Sequence, residues 1–148
     1  MTGAVFVDTS ALYAVLDADD AHHPAARAGW DRLLDALADT TAEAVTHGSV
    51  VVETSALVQR RLGLPALRAL HDEVLPLLAI TWVADDLHRR AVAALLAAGR
   101  RDVSLVDWTS FQHMRDAGIT TAFAFDDDFA AQGFSAWGTP PTPAAPGS

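Results

Sequence analysis

Ala4-Val5-Phe6-Val7-Asp8-Thr9-Ser10 is the stretch on which the fold turns. Four consecutive apolar residues, rich in β-branched and aromatic types, are too few for a helix and read as a buried strand. The run stops on an aspartate, and Thr9 or Ser10 then offers a cap for a helix reaching about Asp17. An apolar strand that hands an acid to a helix start belongs to α/β architecture, in which ligands gather at the carboxyl ends of parallel strands.

Outward from this stretch the alternation repeats. A second helix is expected over residues 24–38, with Pro24 in its first turn and Trp30, Leu33, Leu34 and Leu37 on one face. A weak strand follows at 44–46, then a helix over 49–62 ended by Gly63. Pro65 opens another helix that stops near Pro76, and a third strand is read at 78–83. Asp85 is expected to cap a helix closed by Gly99, and Ser104 one closed by Gly118. Residues 121–125 form a fourth strand, again ending on an aspartate. The fold class is α/β, a three-layer α/β/α arrangement with a mainly parallel central sheet covered on both faces. One domain spans 1–138, and residues 139–148, with four prolines, form a polar tail expected to be mobile or strapped over the surface.

Length and composition are consistent with this. The chain has 148 residues, 51% of them hydrophobic, with mean hydropathy +0.19, enough to bury one core. No apolar run approaches the roughly 18 to 20 residues of a membrane span. The N-terminus lacks a basic region and Asp8 interrupts its apolar run, so no secretory signal is predicted. Without cysteine there is no disulfide, no thiolate nucleophile and no cysteine metal site, which fits a reducing cytoplasm. Ten arginines and no lysine stand against sixteen aspartates and three glutamates, for a net charge of −9. A protein that binds nucleic acid through its overall field is basic. Any nucleic-acid contact here must therefore be local, an arginine patch beside an acidic site neutralised by metal.

Four acids stand out by position: Asp8, Glu53, Asp107 and Asp126 each follow an apolar run and are delivered to the edge of the core. Carboxylates crowded together repel one another and hold protons unless a cation sits among them, and Mg²⁺ or Mn²⁺ suits oxygen donors. Such an ion neutralises a phosphate under attack and can deliver a water nucleophile, the chemistry of phosphodiester hydrolysis. Each acid also has an ordinary structural reading. Asp8 can cap a helix, Asp107 can complete a capping box with Ser104, and Glu53 can pair with Arg60 or Arg61. Asp126-Asp127-Asp128 can be a turn and helix start, with Asp127 facing solvent.

Other residues divide in the same way. Arg60-Arg61, Arg89-Arg90 and Arg100-Arg101 are candidate phosphate contacts, against the alternative of solvated faces or internal salt bridges. His22-His23 has no second ligand at metal spacing and reads as loop. Trp30, Trp82, Trp108 and Trp137 are scattered in apolar surroundings and read as core or interface aromatics rather than base-stacking platforms.

Four segments in order, Val5 through Leu12, Val51 through Leu57, Asp102 through Asp107, and Phe125 through Phe134, resemble the successive motifs of the PIN-domain family. Residues 53–63 and 100–107 are especially similar to VapC-type toxins of bacterial toxin–antitoxin pairs, and the resemblance covers about residues 4 to 138. It implies a compact α/β/α fold and an Mg²⁺- or Mn²⁺-dependent ribonuclease, usually a homodimer, held inactive by a cognate VapB-like antitoxin. The expected substrate is RNA of the tRNA or rRNA class. The family's acids carry over onto Asp8, Glu53, Asp107 and Asp126, with Asp128 as an accessory acid and Ser10 in support. Asp8 and Asp107 match the most dependable ligand positions. Gly48 departs from the pattern and is expected to loosen the start of its helix. The implied antitoxin is expected to insert an arginine or lysine among the acids while an apolar segment docks around Val58, Leu62 and Leu64. A housekeeping RNA-processing or DNA nuclease of the same fold, and a catalytically silent binding module, are the competing readings. The intact acidic set argues against the silent module.

Overall fold

The computed structural model describes residues 3–138. Five strands, β1 (Gly3–Val7), β2 (Ala42–His47), β3 (Ala79–Thr81), β4 (Thr121–Phe123) and β5 (Ser135–Ala136), form one sheet in the order β3-β2-β1-β4-β5. Every pairing is parallel, with Val5 beside Ala44 on one side and Thr121 on the other. Central position explains the composition of β1. Neighbouring strands flank it and helices cover it, so Val5, Phe6 and Val7 are all buried and no polar alternation survives.

The helices are α1 (Thr9–Leu16), α2 (His23–Ala38), α3 (Gly48–Leu62), α4 (Leu64–Ala69), α5 (Asp85–Ala98), α6 (Leu105–Ala117) and α7 (Asp127–Ala131). They give the three-layer α/β/α arrangement expected. The expected closures hold at Gly99 and Gly118, both left-handed (φ 65° and 69°), where a side chain would be strained. Phe6, Phe111 and Phe129 form the aromatic centre of the core, the latter two edge to face at 5.0 Å. Burying each such side chain contributes about 1.5–3 kcal/mol.

Several boundaries differ from expectation, each for a local reason. The fourth strand stops at Phe123 rather than 125, because the Phe125 N–H donates to Ser10 Oγ (2.9 Å) instead of to a neighbouring strand. The third is only Ala79–Thr81, since its partner β2 ends at His47 and turns into α3. Helix α4 runs on through a π turn (Leu70–Val74) into a 3₁₀ turn (Leu75–Leu77) that contains Pro76, a residue unable to donate to a regular helical ladder. The cap of α1 is Asp8 rather than Thr9 or Ser10. Asp85 does not cap α5; it lies in the first turn and pairs with Arg89. Strand β5, two residues long, was not anticipated. The expected tail at 139–148 lies outside the described residues.

Candidate functional site

Asp8 leaves the end of β1 and is buried, 4% exposed. Its Oδ2 accepts both the Ser10 N–H (3.1 Å) and the Ser10 hydroxyl (2.8 Å). Because that hydroxyl in turn accepts from Phe125 N–H, Ser10 ties the carboxylate of β1 to the chain leaving β4. Burial pushes the Asp8 carboxyl up from its ordinary 3.8 to about 7; the two bonds from Ser10 oppose this, while the charges of Asp107 and Glu53 add to it.

Glu53 sits in the second turn of α3, half-buried, and its pKa is raised first by desolvation and then by Asp107, against the Thr9 hydroxyl beside it. Thr9 is itself held by Thr54 Oγ1, which donates to it at 2.9 Å. That Thr9–Thr54 link between α1 and α3 was not legible in sequence; its signal is a hydroxyl embedded in each of two apolar segments. The alternative reading of Glu53, a pair with Arg60 or Arg61, finds no such ion pair among the described residues, and Arg61 instead lies over the Tyr13 ring at 5.6 Å.

Asp107 completes the capping box of α6: its N–H donates to Ser104 Oγ and its Oδ2 accepts the Ser104 N–H, both at 3.1 Å. The capping reading of this acid is therefore met. Burial raises its pKa, and Asp126 raises it further. Asp126 caps α7 by accepting the Asp128 N–H (2.9 Å). Asp128 is pushed up to about 6, by desolvation first and then by Asp126 and Asp107, with Arg100 opposing. Asp127 is exposed, as expected.

Carboxylate oxygens of Asp107, Asp126 and Asp128 all lie within 4.8 Å of one another, a spacing that one cation can bridge. Asp8 and Glu53 fall outside that tight trio and join it electrostatically through Asp107. Asp128, read from sequence as an accessory acid, is thus a full member of the geometric group. The donor set is all carboxylate oxygen, which suits a hard divalent cation.

The other sequence candidates are engaged elsewhere or add no ligand to the cluster. Arg89 and Arg90 are taken up by Asp85, Asp86 and Asp116, and Arg100 by Asp102 at 2.7 Å. His22 and His23 stand at the start of α2, His22 stacked on Phe125 and His23 bonded to the Ala14 carbonyl. Trp30 and Trp108 are buried and Trp137 half-buried, but Trp82 is 66% exposed and is no core residue. Val58 is fully buried, which removes it from the expected docking face; Leu62 is half-buried and Leu64 exposed.

Over residues 5–135 the chain matches the PIN domain. It is 37% identical over 131 residues to the 23S rRNA-specific endonuclease VapC20 of Mycobacterium tuberculosis, across 88% of this chain and 95% of the relative. The crystal structure of Mycobacterium tuberculosis VapC20, described as a sarcin-ricin loop cleaving toxin, aligns with a TM-score of 0.74 and 36% identity over 88% of this chain and 95% of that one. FitAcB from Neisseria gonorrhoeae aligns with a TM-score of 0.64 over 90% of this chain and 96% of that chain; at 16% identity this is a likeness of fold alone. A match of that extent, on a chain whose acids gather where parallel strands end, makes this protein a member of the PIN-domain family.

Proposed function

We propose that this protein is an Mg²⁺- or Mn²⁺-dependent endoribonuclease and the toxin of a toxin–antitoxin pair, blocking translation by hydrolysing RNA of the rRNA or tRNA class. The observation that carries the reading is the convergence of Asp107, Asp126 and Asp128 within 4.8 Å beside the buried Asp8. Likeness to an rRNA-specific endonuclease along nearly the whole domain supports RNA as the substrate.

Asp107, Asp126 and Asp128 would hold the cation from the open side, with Asp8 and Glu53 completing the set from the buried side. When bound, the cation supplies charge neutralisation at the phosphate and a more acidic water. The chain's own residues do the rest. Ser10 fixes the orientation of Asp8 through Oδ2. Thr9, held by Thr54, stands beside Glu53. Arg100, though paired with Asp102, lies close enough to oppose the rise at Asp128, and exchange of that partner for a phosphate would supply the local positive charge that a chain of net charge −9 needs for a polyanion.

The partner is a VapB-like antitoxin that inserts an arginine or lysine among these carboxylates while an apolar segment docks near Leu62 and Leu64. Domain 1–138 carries this function as a homodimer in the cytoplasm. Incubation of the purified protein with total RNA, with and without Mn²⁺, followed by mapping of the new ends, tests the reading. Metal-dependent cuts leaving 5′-phosphate and 3′-hydroxyl ends are expected, since water is the attacking group; 2′,3′-cyclic phosphate ends reject it. Replacing the antitoxin's basic anchor by alanine is expected to weaken inhibition. Unchanged inhibition that excess Mg²⁺ also fails to relieve removes the inserted-cation idea.

A further inference from the structure

Beside the acid cluster, between the start of α3, the chain leaving β3 and the first turn of α6, lies a concave pocket of about 440 Å³. Its walls are apolar: Val52, Val83, Val106 and the indole of Trp82, with Gly48 beneath and Glu53 at the side that joins the acids. Trp82 and Val52 are 66% and 61% exposed, whereas the other exposed large apolar residues, Leu64, Leu77 and Leu96, do not line it. The indole is held rather than loose. A Cβ on Gly48 would lie 2.1 Å from Trp82 Cε3, so the ring rests directly on the first residue of α3. This is the steric reason for the glycine that departs from the motif.

From this juxtaposition we infer that the Trp82 pocket receives an unstacked nucleobase of the RNA strand, one attached to a nucleotide that flanks the bond being cut. Three considerations select this occupant. The pocket shares Glu53 with the acid cluster, so whatever fills it sits next to the phosphate under attack. Among the described residues no basic side chain lines it and Glu53 brings negative charge, which disfavours a phosphate and favours the flat apolar face of a base on the indole. Ser49 contributes a hydroxyl that can donate to or accept from a base edge. The pocket thereby ties cleavage to RNA segments in which a base can leave its stack, the mode by which single-stranded loops and bulges are recognised.

The inference rests on the ribonuclease reading, and its test separates the two. Steady-state cleavage in Mn²⁺ is measured on a synthetic RNA spanning the mapped cut, and on the same RNA with an abasic residue on either side of the bond. Trp82→Ala is expected to raise KM roughly tenfold or more with kcat nearly unchanged, the loss expected for one base–aromatic stack. Trp82→Phe should keep most of the affinity, and Gly48→Ala, which pushes on the ring, should behave like Trp82→Ala. One abasic substitution should raise the wild-type KM by a similar factor yet add nothing in Trp82→Ala, because both changes remove the same contact. Penalties that multiply, or an unchanged KM in Trp82→Ala, overturn the pocket while leaving the nuclease intact. Loss of activity in Trp82→Ala in step with a fall in mass by light scattering also overturns it, assigning this face to contact between copies. No cleavage by the unaltered protein overturns the nuclease reading and the pocket with it.

Discussion

Asp8 and His47 end neighbouring parallel strands at the same edge of the sheet, and both are buried, 4% and 0% exposed. Their surroundings differ in one respect. His47 is satisfied by the protein: Nδ1 accepts the Val50 N–H at 3.4 Å and caps α3, so Nε2 carries the proton and donates to Ser110 Oγ at 2.8 Å. The Ser110 hydroxyl in turn donates to the Val106 carbonyl at 2.9 Å, and Phe6 and His113 cover the ring. Burial, with His113 adding to it, pushes the imidazole down to about 3, so it stays neutral. Among the described residues the Asp8 carboxylate has only Ser10 for support and looks toward carboxylates of like sign. Burial that closes on itself makes a core. Burial that leaves charge uncompensated makes a site, because the missing partner must come from outside.

The contrast can be broken most severely at Asp8. Asp8→Asn removes a ligand charge while keeping the shape of the cap, and cleavage should fall by more than the roughly 10- to 100-fold that loss of an outer hydrogen-bond partner costs a metal site. Full activity in that variant would remove Asp8 from the machinery. Next in size is a pH effect on the metal-free protein. The Asp8 pKa of about 7 lies above its ordinary 3.8, so the folded state holds a proton that the unfolded chain releases. Stability is therefore lost as pH rises from about 4 through 7, by up to about 4 kcal/mol in all. His47 runs the other way: with its folded value below the ordinary 6.5, stability is lost as pH falls from 6.5 toward 3. Thermal melts across pH should show the alkaline loss flattened by Asp8→Asn or by Mn²⁺, and the acid loss flattened by His47→Ala. An alkaline limb that survives both Asp8→Asn and Mn²⁺ contradicts the assignment.

Smaller changes sharpen the comparison. His47→Ala empties a fully buried ring and strips Ser110 and Val50 of a partner, for a loss of about 2–4 kcal/mol in denaturant unfolding with Mn²⁺ affinity unaffected. Ser10→Ala should cost about 1–3 kcal/mol through the orphaned Phe125 N–H, and in contrast weaken Mn²⁺ binding by roughly 10- to 100-fold, read by calorimetry. Asp127→Asn, exposed beside the trio, should shift stability by less than about 0.5 kcal/mol and leave cleavage at the wild-type level. A large effect there would mean that the trio's boundary is drawn wrongly.

The central strands and their acids were legible because a strand enclosed on every side must be apolar without interruption, so an aspartate that ends it is conspicuous. This holds for Val5-Phe6-Val7-Asp8 and for Phe123-Ala124-Phe125-Asp126, even though β4 itself ends two residues early. The sheet edges were not legible. Residues 78–83 look apolar to the end, but Trp82 and Val83 serve a pocket rather than a strand, and β5 is too short to leave a pattern. For the candidate site, residue types and order pointed to one edge of the sheet, and Asp107, Asp126 and Asp128 do gather. Which carboxylates draw within 4.8 Å depends on how the turn at 126–128 meets the start of α6, a matter of packing between segments some twenty residues apart that no local pattern encodes.

Asp8 both begins a helix and faces the acids, and this has a genetic consequence. Aspartate and asparagine codons differ by a single first-position transition, and asparagine caps a helix as well as aspartate does. If Asp8 belongs to the machinery as proposed, one base change disarms the protein without unfolding it, and the product keeps the docking face near Leu62 and Leu64 and all but one of the carboxylates that an antitoxin would grip. On the proposed reading, a cell burdened by this toxin has a short mutational route to a folded decoy, and a decoy competes for antitoxin with every active copy that remains.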